Sequence, residues 1–270
     1  MILASDIPLN LWLGLPTAAA YALTALIGPR VATRMGHRLI IVPWTLHGLG
    51  LVFALFAPQD GGLRFGFAPA LSVTTWLMLT FYSLEQHWFP QLRTRWTLSF
   101  LGAFVVLLAC VFPGSVLHTQ TSPLLPLHLA LGVASYGLFA AAVVHAAMMT
   151  RVEKNMRMGT DTQVGLPLLT LERLTFRFVN AGFILLTATL TAGWLFGDSL
   201  YGKEAAWRWD HKTIFSMMAW LTFAVLLIAR SRFGWRGRKA VRVLYMGTSL
   251  LMLGYAGSRF VLEVILGRAA

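Results

Sequence analysis

A short polar segment late in the chain combines residue types that could hold a planar, charged ligand. It reads Trp207, Arg208, Trp209, Asp210, His211 and Lys212. Flat indole faces stack on planar ligands, and a neighbouring carboxylate and ammonium can orient the acidic groups of such a ligand. The alternative is structural, because tryptophans also anchor membrane interfaces and Asp210 suits the N-cap of the apolar helix that follows. The residues alone leave both interpretations open.

His128 opens the fifth apolar run and is a candidate metal ligand. Gly132 and Ser135 follow it at positions i+4 and i+7, so a helix here would present a small face beside the imidazole. Histidine is a frequent axial ligand of haem iron. A lone histidine at a helix end can instead be a simple polar residue of the membrane interface, and that interpretation stays open.

Two further histidines lie inside apolar runs. His47 is near the middle of the second run, where an ionisable group normally faces the interior of a helix bundle. A functional intramembrane role and a plain interhelical hydrogen bond both suit that position. His145 follows His128 by 17 residues, which is about 25 Å along a helix. We therefore expect His145 near the opposite membrane surface, with its ring reaching toward the interface.

The elements that carry these residues are long apolar runs. Of the 270 residues, 57% are hydrophobic and 12% charged, against roughly 25% charged in soluble domains. A spanning helix needs about 20 apolar residues, and eight such runs are separated by Gly, Pro and charged residues. They cover 8–27, 39–57, 67–86, 96–113, 125–149, 176–197, 212–230 and 241–267. We predict an all-α fold, with one transmembrane domain over 1–270 and about eight spanning helices.

Most lysines and arginines stand in the connections that follow odd-numbered runs. Basic connections of this kind face the cytoplasm, so both termini and the Trp-rich segment are predicted to face outward. The net charge of +12 is divided among connections between apolar runs, rather than gathered on one polar face. That distribution argues against nucleic acid as a partner. It indicates that the lipid bilayer is the main partner of the chain.

Several function classes lack their motifs. Cys110 is the only cysteine, which excludes an intrachain disulfide, a CxxC redox pair and a CxxCH haem attachment site. The sequence has no HExxH, GxSxG, P-loop or paired-carboxylate motif, so hydrolase and nucleotide-driven activities have no support. We expect a binding or assembly factor rather than a self-contained catalyst.

Five short stretches have a recognisable order and spacing. They are 127–136, with its histidine, then 172–177, 182–187, 207–212 and 233–237. Together they resemble the cytochrome c assembly family, which comprises CcsA-, CcmC- and HemX-like haem-handling membrane proteins. The pattern is nearest to a bacterial inner-membrane subgroup, which implies a multi-pass protein of that membrane with its Trp-rich loop toward the periplasm.

The resemblance implies a haem platform built from the Trp-rich loop and flanking histidines. Trp207, Trp209, Asp210 and Lys212 match the core of that loop, and His128 matches the first flanking histidine. By this resemblance, His128 is the expected ligand of haem iron.

The sequence also departs from the family pattern. His211 stands where the family has proline, and Glu204-Ala-Ala206 stands near the place of the family's opening Trp-Gly. The second flanking histidine has no counterpart, since Leu266–Ala270 contains none. These departures put ligation by two family histidines in doubt and make His211 the candidate second ligand.

Three functions follow as hypotheses. The first is haem binding or trafficking at the outer surface, with other cytochrome-assembly or membrane proteins as partners. The second is a non-enzymatic adaptor or regulator of another membrane protein, or of haem biosynthesis, which has lost full haem ligation. The third is a transporter or channel that uses His47, although no acidic relay or internal repeat supports it.

Overall fold

The computed structural model describes residues 9–30, 33–56, 63–89, 96–117, 124–159, 167–197 and 209–267. Within these ranges the chain forms eight helices and two short strands, so the predicted all-α architecture is confirmed. The elements are α1 Leu9–Ile27, α2 Thr33–Phe56, β1 Leu63–Phe65, α3 Phe67–Trp88, α4 Trp96–Val111, β2 Ser115–Leu117, α5 Leu125–Arg157, α6 Leu168–Leu195, α7 His211–Phe233 and α8 Gly237–Ile265.

Six of these described helices are long and apolar enough to cross a membrane, namely α1, α3, α5, α6, α7 and α8. The other two carry shorter apolar stretches, Leu39–Ala54 in α2 and Trp96–Val111 in α4. Large apolar side chains such as Ile184 and Trp194 are two-thirds exposed on the outside of the bundle. Exposed apolar surface of this kind suits contact with lipid tails, and the chain is a multi-pass membrane protein.

Two clusters of buried side chains form the core. In one, α5, α6, α7 and α8 meet around Phe139 and Phe223, whose rings stack at 3.9 Å with 7° between their planes. In the other, α1, α3, α4 and α5 meet around Tyr21 and Leu79. Helix α5 contributes to both clusters and therefore joins the two halves of the bundle.

The two strands tie the start of α3 to the end of α4. They pair antiparallel, with Leu63 opposite Leu117 and Phe65 opposite Ser115. Gly66 follows β1 and Gly114 precedes β2. The two glycines lie in close contact, because a Cβ on Gly66 would come within 2.8 Å of the Cα of Gly114. The pairing places both connections at one end of the bundle, as consecutive antiparallel helices require.

Helix α6 begins earlier than the sequence suggests. The sixth apolar run was expected to start at residue 176, whereas α6 begins at Leu168. Leu171 and Leu174 are buried in the core, and Glu172 is paired with Arg230 of α7. Because its charges are paired across helices, this polar stretch can continue the helix.

Helix α8 changes geometry along its length. It is α-helical over Gly237–Met252, π-helical over Leu253–Gly257, α-helical over Ser258–Phe260 and π-helical over Val261–Ile265. Wider turns of this kind are rare and frequently mark functional sites. The first of them carries Tyr255 into the interior.

Candidate functional site

His128 lies in the first turn of α5, packed against the far end of α6. Its backbone N–H donates to the carbonyl oxygen of Leu124 at 3.0 Å. Gly193 of α6 stands beside the ring, and a Cβ there would come within 3.3 Å of the imidazole Cε1. Gly132 faces Thr189 of α6 in the same way, at 3.5 Å from its Cγ2. Helix α6 therefore packs against the small face that the sequence predicts next to His128.

Helices α7 and α8 bring a cation and an aromatic ring to the same end of the bundle. Lys212, in the first turn of α7, is close enough to His128 for its charge to act on the imidazole. The Lys212 ammonium also lies 6.0 Å from the ring centroid of Tyr255 in α8, at the outer limit of a cation–π contact. Three helices thus contribute one side chain each to this site.

A glycine in the π-helical stretch lets α8 approach the start of α7. A Cβ on Gly254 would lie 3.1 Å from the Cβ of Phe215 and 3.5 Å from the carbonyl oxygen of Lys212. The neighbouring Tyr255 packs on Phe65 and Tyr136, with ring centroids 5.7 Å and 6.5 Å away. These contacts fix the position of the Lys212 backbone beside α8.

Asp210 caps helix α7, as its position in the sequence indicates. Its backbone is extended, with φ −86° and ψ 169°, and its Oδ1 accepts the N–H of Thr213 at 2.8 Å. An N-cap of this type satisfies one of the unpaired donors in the first turn. The cap fixes where α7 begins, and Lys212 lies inside that first turn.

The rest of the Trp-rich segment is only partly described. Trp209 and His211 are exposed on either side of the capping aspartate, with Trp209 at 66%. Trp207 lies outside the described residues. Lys212 therefore lies close enough to His128 for its charge to act on the imidazole, whereas Trp209 and His211 lie at the surface.

His47 belongs to a different part of the molecule. Its Nδ1 is 3.2 Å from the hydroxyl of Tyr21 in α1, and its Nε2 is 2.8 Å from the hydroxyl of Ser72 in α3. The ring is 3% exposed and meets the Tyr21 ring edge-on. Interhelical hydrogen bonding was one of the two alternatives that the sequence left open for His47. The structure shows two such bonds, one at each ring nitrogen.

The ring of His145 does not reach outward toward the membrane interface, so that part of the expectation was wrong. Its side chain is fully buried, with Nε2 2.6 Å from Oε2 of Glu85 in α3 and Nδ1 2.8 Å from the carbonyl oxygen of Ala141. A carboxylate partner removes the need for the ring to reach water. The available signal was Glu85, an acidic residue at the end of the third apolar run.

His128 supplies an imidazole that could hold a metal-containing ligand at this site. Among the residues that the structure describes, no group of three or more His, Cys, Asp or Glu side chains is placed to hold a bare metal ion. One imidazole beside a glycine, with a cation nearby, fits a metal that brings its own equatorial ligands and acidic groups, as haem does.

Comparison with known proteins assigns the chain to a family. Residues 41–266 match the family described as cytochrome C assembly protein. The chain is 27% identical over 239 residues to "Inner membrane protein YpjD" of Escherichia coli strain K12, covering 86% of this chain and 88% of that protein. It is 33% identical over 187 residues to an "Uncharacterized 28.8 kDa protein in nifR3-like 5'region" of Azospirillum brasilense, covering 65% and 68%.

A more distant relative carries a functional name. "Cytochrome c biogenesis protein CcsA" of Synechococcus sp. strain CC9605 is 26% identical over 171 residues, which are 62% of this chain and 53% of that protein. These similarities confirm the resemblance that the stretches between 127 and 237 indicated. The chain belongs to the cytochrome c assembly protein family.

Proposed function

We propose that this protein binds haem at the bundle end formed by the starts of α5 and α7, and holds it for cytochrome assembly or haem trafficking. In this proposal His128 would hold the haem iron through its imidazole. Haem, when bound, supplies an iron centre that accepts an imidazole nitrogen. The protein's own residues bind and orient the group, and a separate partner would provide the cysteines for any covalent attachment.

The main support for the proposal is that His128, Gly193 and Lys212 lie at the same end of the bundle. Gly193 lets α6 approach the imidazole closely, because a Cβ there would press on Cε1 at 3.3 Å. Lys212 supplies a positive charge within reach of the ring. An ammonium at that position favours the negatively charged propionate groups of a haem over a neutral ligand.

The Trp-rich segment completes the proposed site. In this proposal the indole rings of Trp207 and Trp209 would stack on the planar ligand. Asp210 acts through its cap, because the Asp210–Thr213 hydrogen bond fixes the turn that carries Lys212. His211, next to this cap and exposed, is proposed as a second residue that would hold the haem iron.

The proposed orientation follows from the distribution of basic residues. The starts of α5 and α7 lie at the bundle end opposite Arg230, Arg236 and the other arginines around the α7–α8 turn. Because basic connections remain in the cytoplasm, the proposed haem site faces the periplasm of a bacterial inner membrane. Labelling of cysteines introduced at Trp209 and Arg238 with a membrane-impermeant reagent tests this, and labelling of the Arg238 position alone contradicts it.

The visible spectrum of the purified protein tests haem binding. We expect an oxidised and reduced haem spectrum after purification or after addition of haem, and its loss or shift in His128→Ala. His211→Ala changes the spectrum if His211 is the second ligand. His37→Ala, near the start of α2, is the matched control and leaves the spectrum unchanged. Protein that stays haem-free after added haem contradicts the proposal and favours the adaptor function.

A further inference from the structure

A cleft opens between α6 and α7 at the bundle end opposite the His128 site. Its volume is about 480 Å³. Its lining combines two guanidinium groups, two small polar side chains and two apolar ones. The lining residues are Asn180, Leu227, Ile228, Arg230, Ser231 and Arg236.

Arg230 is held rigidly at one wall of this cleft. Its Nη1 lies 2.6 Å from Oε1 of Glu172, and its guanidinium carbon lies 3.6 Å from the ring centroid of Phe176. The ring and the carboxylate fix the plane of the guanidinium, which carries five N–H donors in a rigid fork. A single carboxylate oxygen leaves several of those donors for another acceptor.

Arg236 reaches the cleft from the turn between α7 and α8. Gly234 ends α7 with φ 63°, a left-handed conformation that glycine adopts without strain. The N–H of Trp235 then donates to the carbonyl oxygen of Ala229 at 3.2 Å. This turn brings Nε of Arg236 to 3.8 Å from the same Glu172 oxygen, with 70% of the Arg236 side chain exposed.

The charges at the cleft do not cancel. One carboxylate, Glu172, lies between two guanidinium groups, so this group of three carries one net positive charge. The following residues Arg238 and Lys239 add to it. Fork-shaped guanidinium donors at a site of net positive charge suit the oxygens of a phosphate group.

Part of the apolar surface at the cleft is exposed on the outside of the bundle. Ile228 is 57% exposed and Phe233, at the end of α7, is 76% exposed. Such side chains on a membrane-spanning helix contact lipid tails. A ligand in this cleft therefore meets donors for a phosphate at the helix ends and apolar surface immediately beside them.

We propose that the cleft between α6 and α7 binds the headgroup of an anionic phospholipid. The phosphate oxygens accept hydrogen bonds from Arg230 and Arg236, Asn180 and Ser231 contact the polar headgroup, and the acyl chain lies along Leu227 and Ile228. Basic clefts between spanning helices are a general means of binding acidic lipids. The bound lipid would bridge α6 to the α7–α8 turn.

Lipid-dependent thermal stability tests this site. The protein in mild detergent is titrated with phosphatidylglycerol, cardiolipin or phosphatidylcholine, and the melting temperature and the number of bound lipids are recorded. We expect the two anionic lipids to raise the melting temperature and phosphatidylcholine to leave it unchanged. Arg236→Gln should weaken anionic-lipid binding roughly fivefold.

Arg232→Gln is the matched control, because it removes the same charge from an exposed position that does not line the cleft. Arg232→Gln should bind as the unchanged protein does. Equal binding by Arg236→Gln and the unchanged protein overturns the proposal, as does equal weakening by both variants. Stabilisation by inorganic phosphate as large as that by phosphatidylglycerol also overturns it, because the ligand would then be a soluble anion.

Discussion

Nε2 of His145 lies 2.6 Å from Oε2 of Glu85, and the two side chains are 0% and 6% exposed. The other ring nitrogen, Nδ1, lies 2.8 Å from the carbonyl oxygen of Ala141. A carbonyl oxygen only accepts, so Nδ1 carries a proton. The pair joins α3 to α5, and both helices contribute side chains to the two core clusters.

Breaking this pair should destabilise the protein strongly. We expect Glu85→Leu or His145→Leu alone to cost about 3 kcal/mol or more, because each leaves an uncompensated polar group in the core. The double variant should cost much less than the sum of the two. Denaturation in detergent measures all four proteins of this cycle. Additive single-site effects would contradict a direct interaction.

The hydrogen bonds of His47 should stabilise the packing of α1, α2 and α3. We expect His47→Leu to cost about 2 kcal/mol or more, since the buried hydroxyl groups of Tyr21 and Ser72 lose their partner. Thr45→Ala is the control, because its exposed hydroxyl bonds only to carbonyl oxygens of its own helix. The measurement is thermal unfolding in detergent. Similar melting temperatures for both variants would argue against the network.

Gly193→Ala should separate the stability of the bundle from binding at the His128 site. Alanine is the better helix former by about 1 kcal/mol, yet its Cβ would come within 3.3 Å of His128 Cε1. If His128 ligates haem, displacing its ring should weaken haem binding about tenfold. Haem titration monitored by absorbance provides the measurement.

The matched control for this glycine is Gly132→Ala. Its Cβ would meet Thr189 Cγ2 at 3.5 Å, an ordinary van der Waals distance. Haem affinity should therefore be retained in Gly132→Ala. A loss of affinity in both variants would point to a general effect of α5–α6 packing rather than to His128.

Gly247 allows α8 to approach Phe223 in the main core. A Cβ there would lie 2.7 Å from Phe223 Cε1, and this ring is already buried and stacked on Phe139. We expect Gly247→Ala to cost about 1–3 kcal/mol through overpacking. Gly50→Ala, whose Cβ would have no heavy atom within 4 Å, should be neutral or stabilising. Equal melting temperatures would contradict the close approach.

The sequence predicts the helices well and their ends less well. Apolar runs identify the eight described helices, of which six are long and apolar enough to span a membrane. The start of α6 is missed since Glu172 and its neighbours appear too polar for a core helix. Their compatibility with the helix depends on Arg230, which lies 58 residues later along the chain, and no local pattern contains that information.

The same limit applies to the candidate site. The capping role of Asp210 is local and is predicted correctly, because the cap bond spans only three residues. The burial of His145 and the partners of His47 depend on residues of other helices, which hydrophobic periodicity does not reveal. The proximity of Lys212 to His128 likewise follows from the packing of α5 and α7 at one end of the bundle.

The most direct test of the central proposal uses His128→Gly together with added imidazole. Removing the side chain leaves a gap into which free imidazole can enter as a replacement ligand. The haem-loaded variant should lose or shift the spectrum of the unchanged protein, and millimolar imidazole should restore it. A haem spectrum in His128→Gly identical to that of the unchanged protein, before any imidazole is added, would contradict ligation by His128.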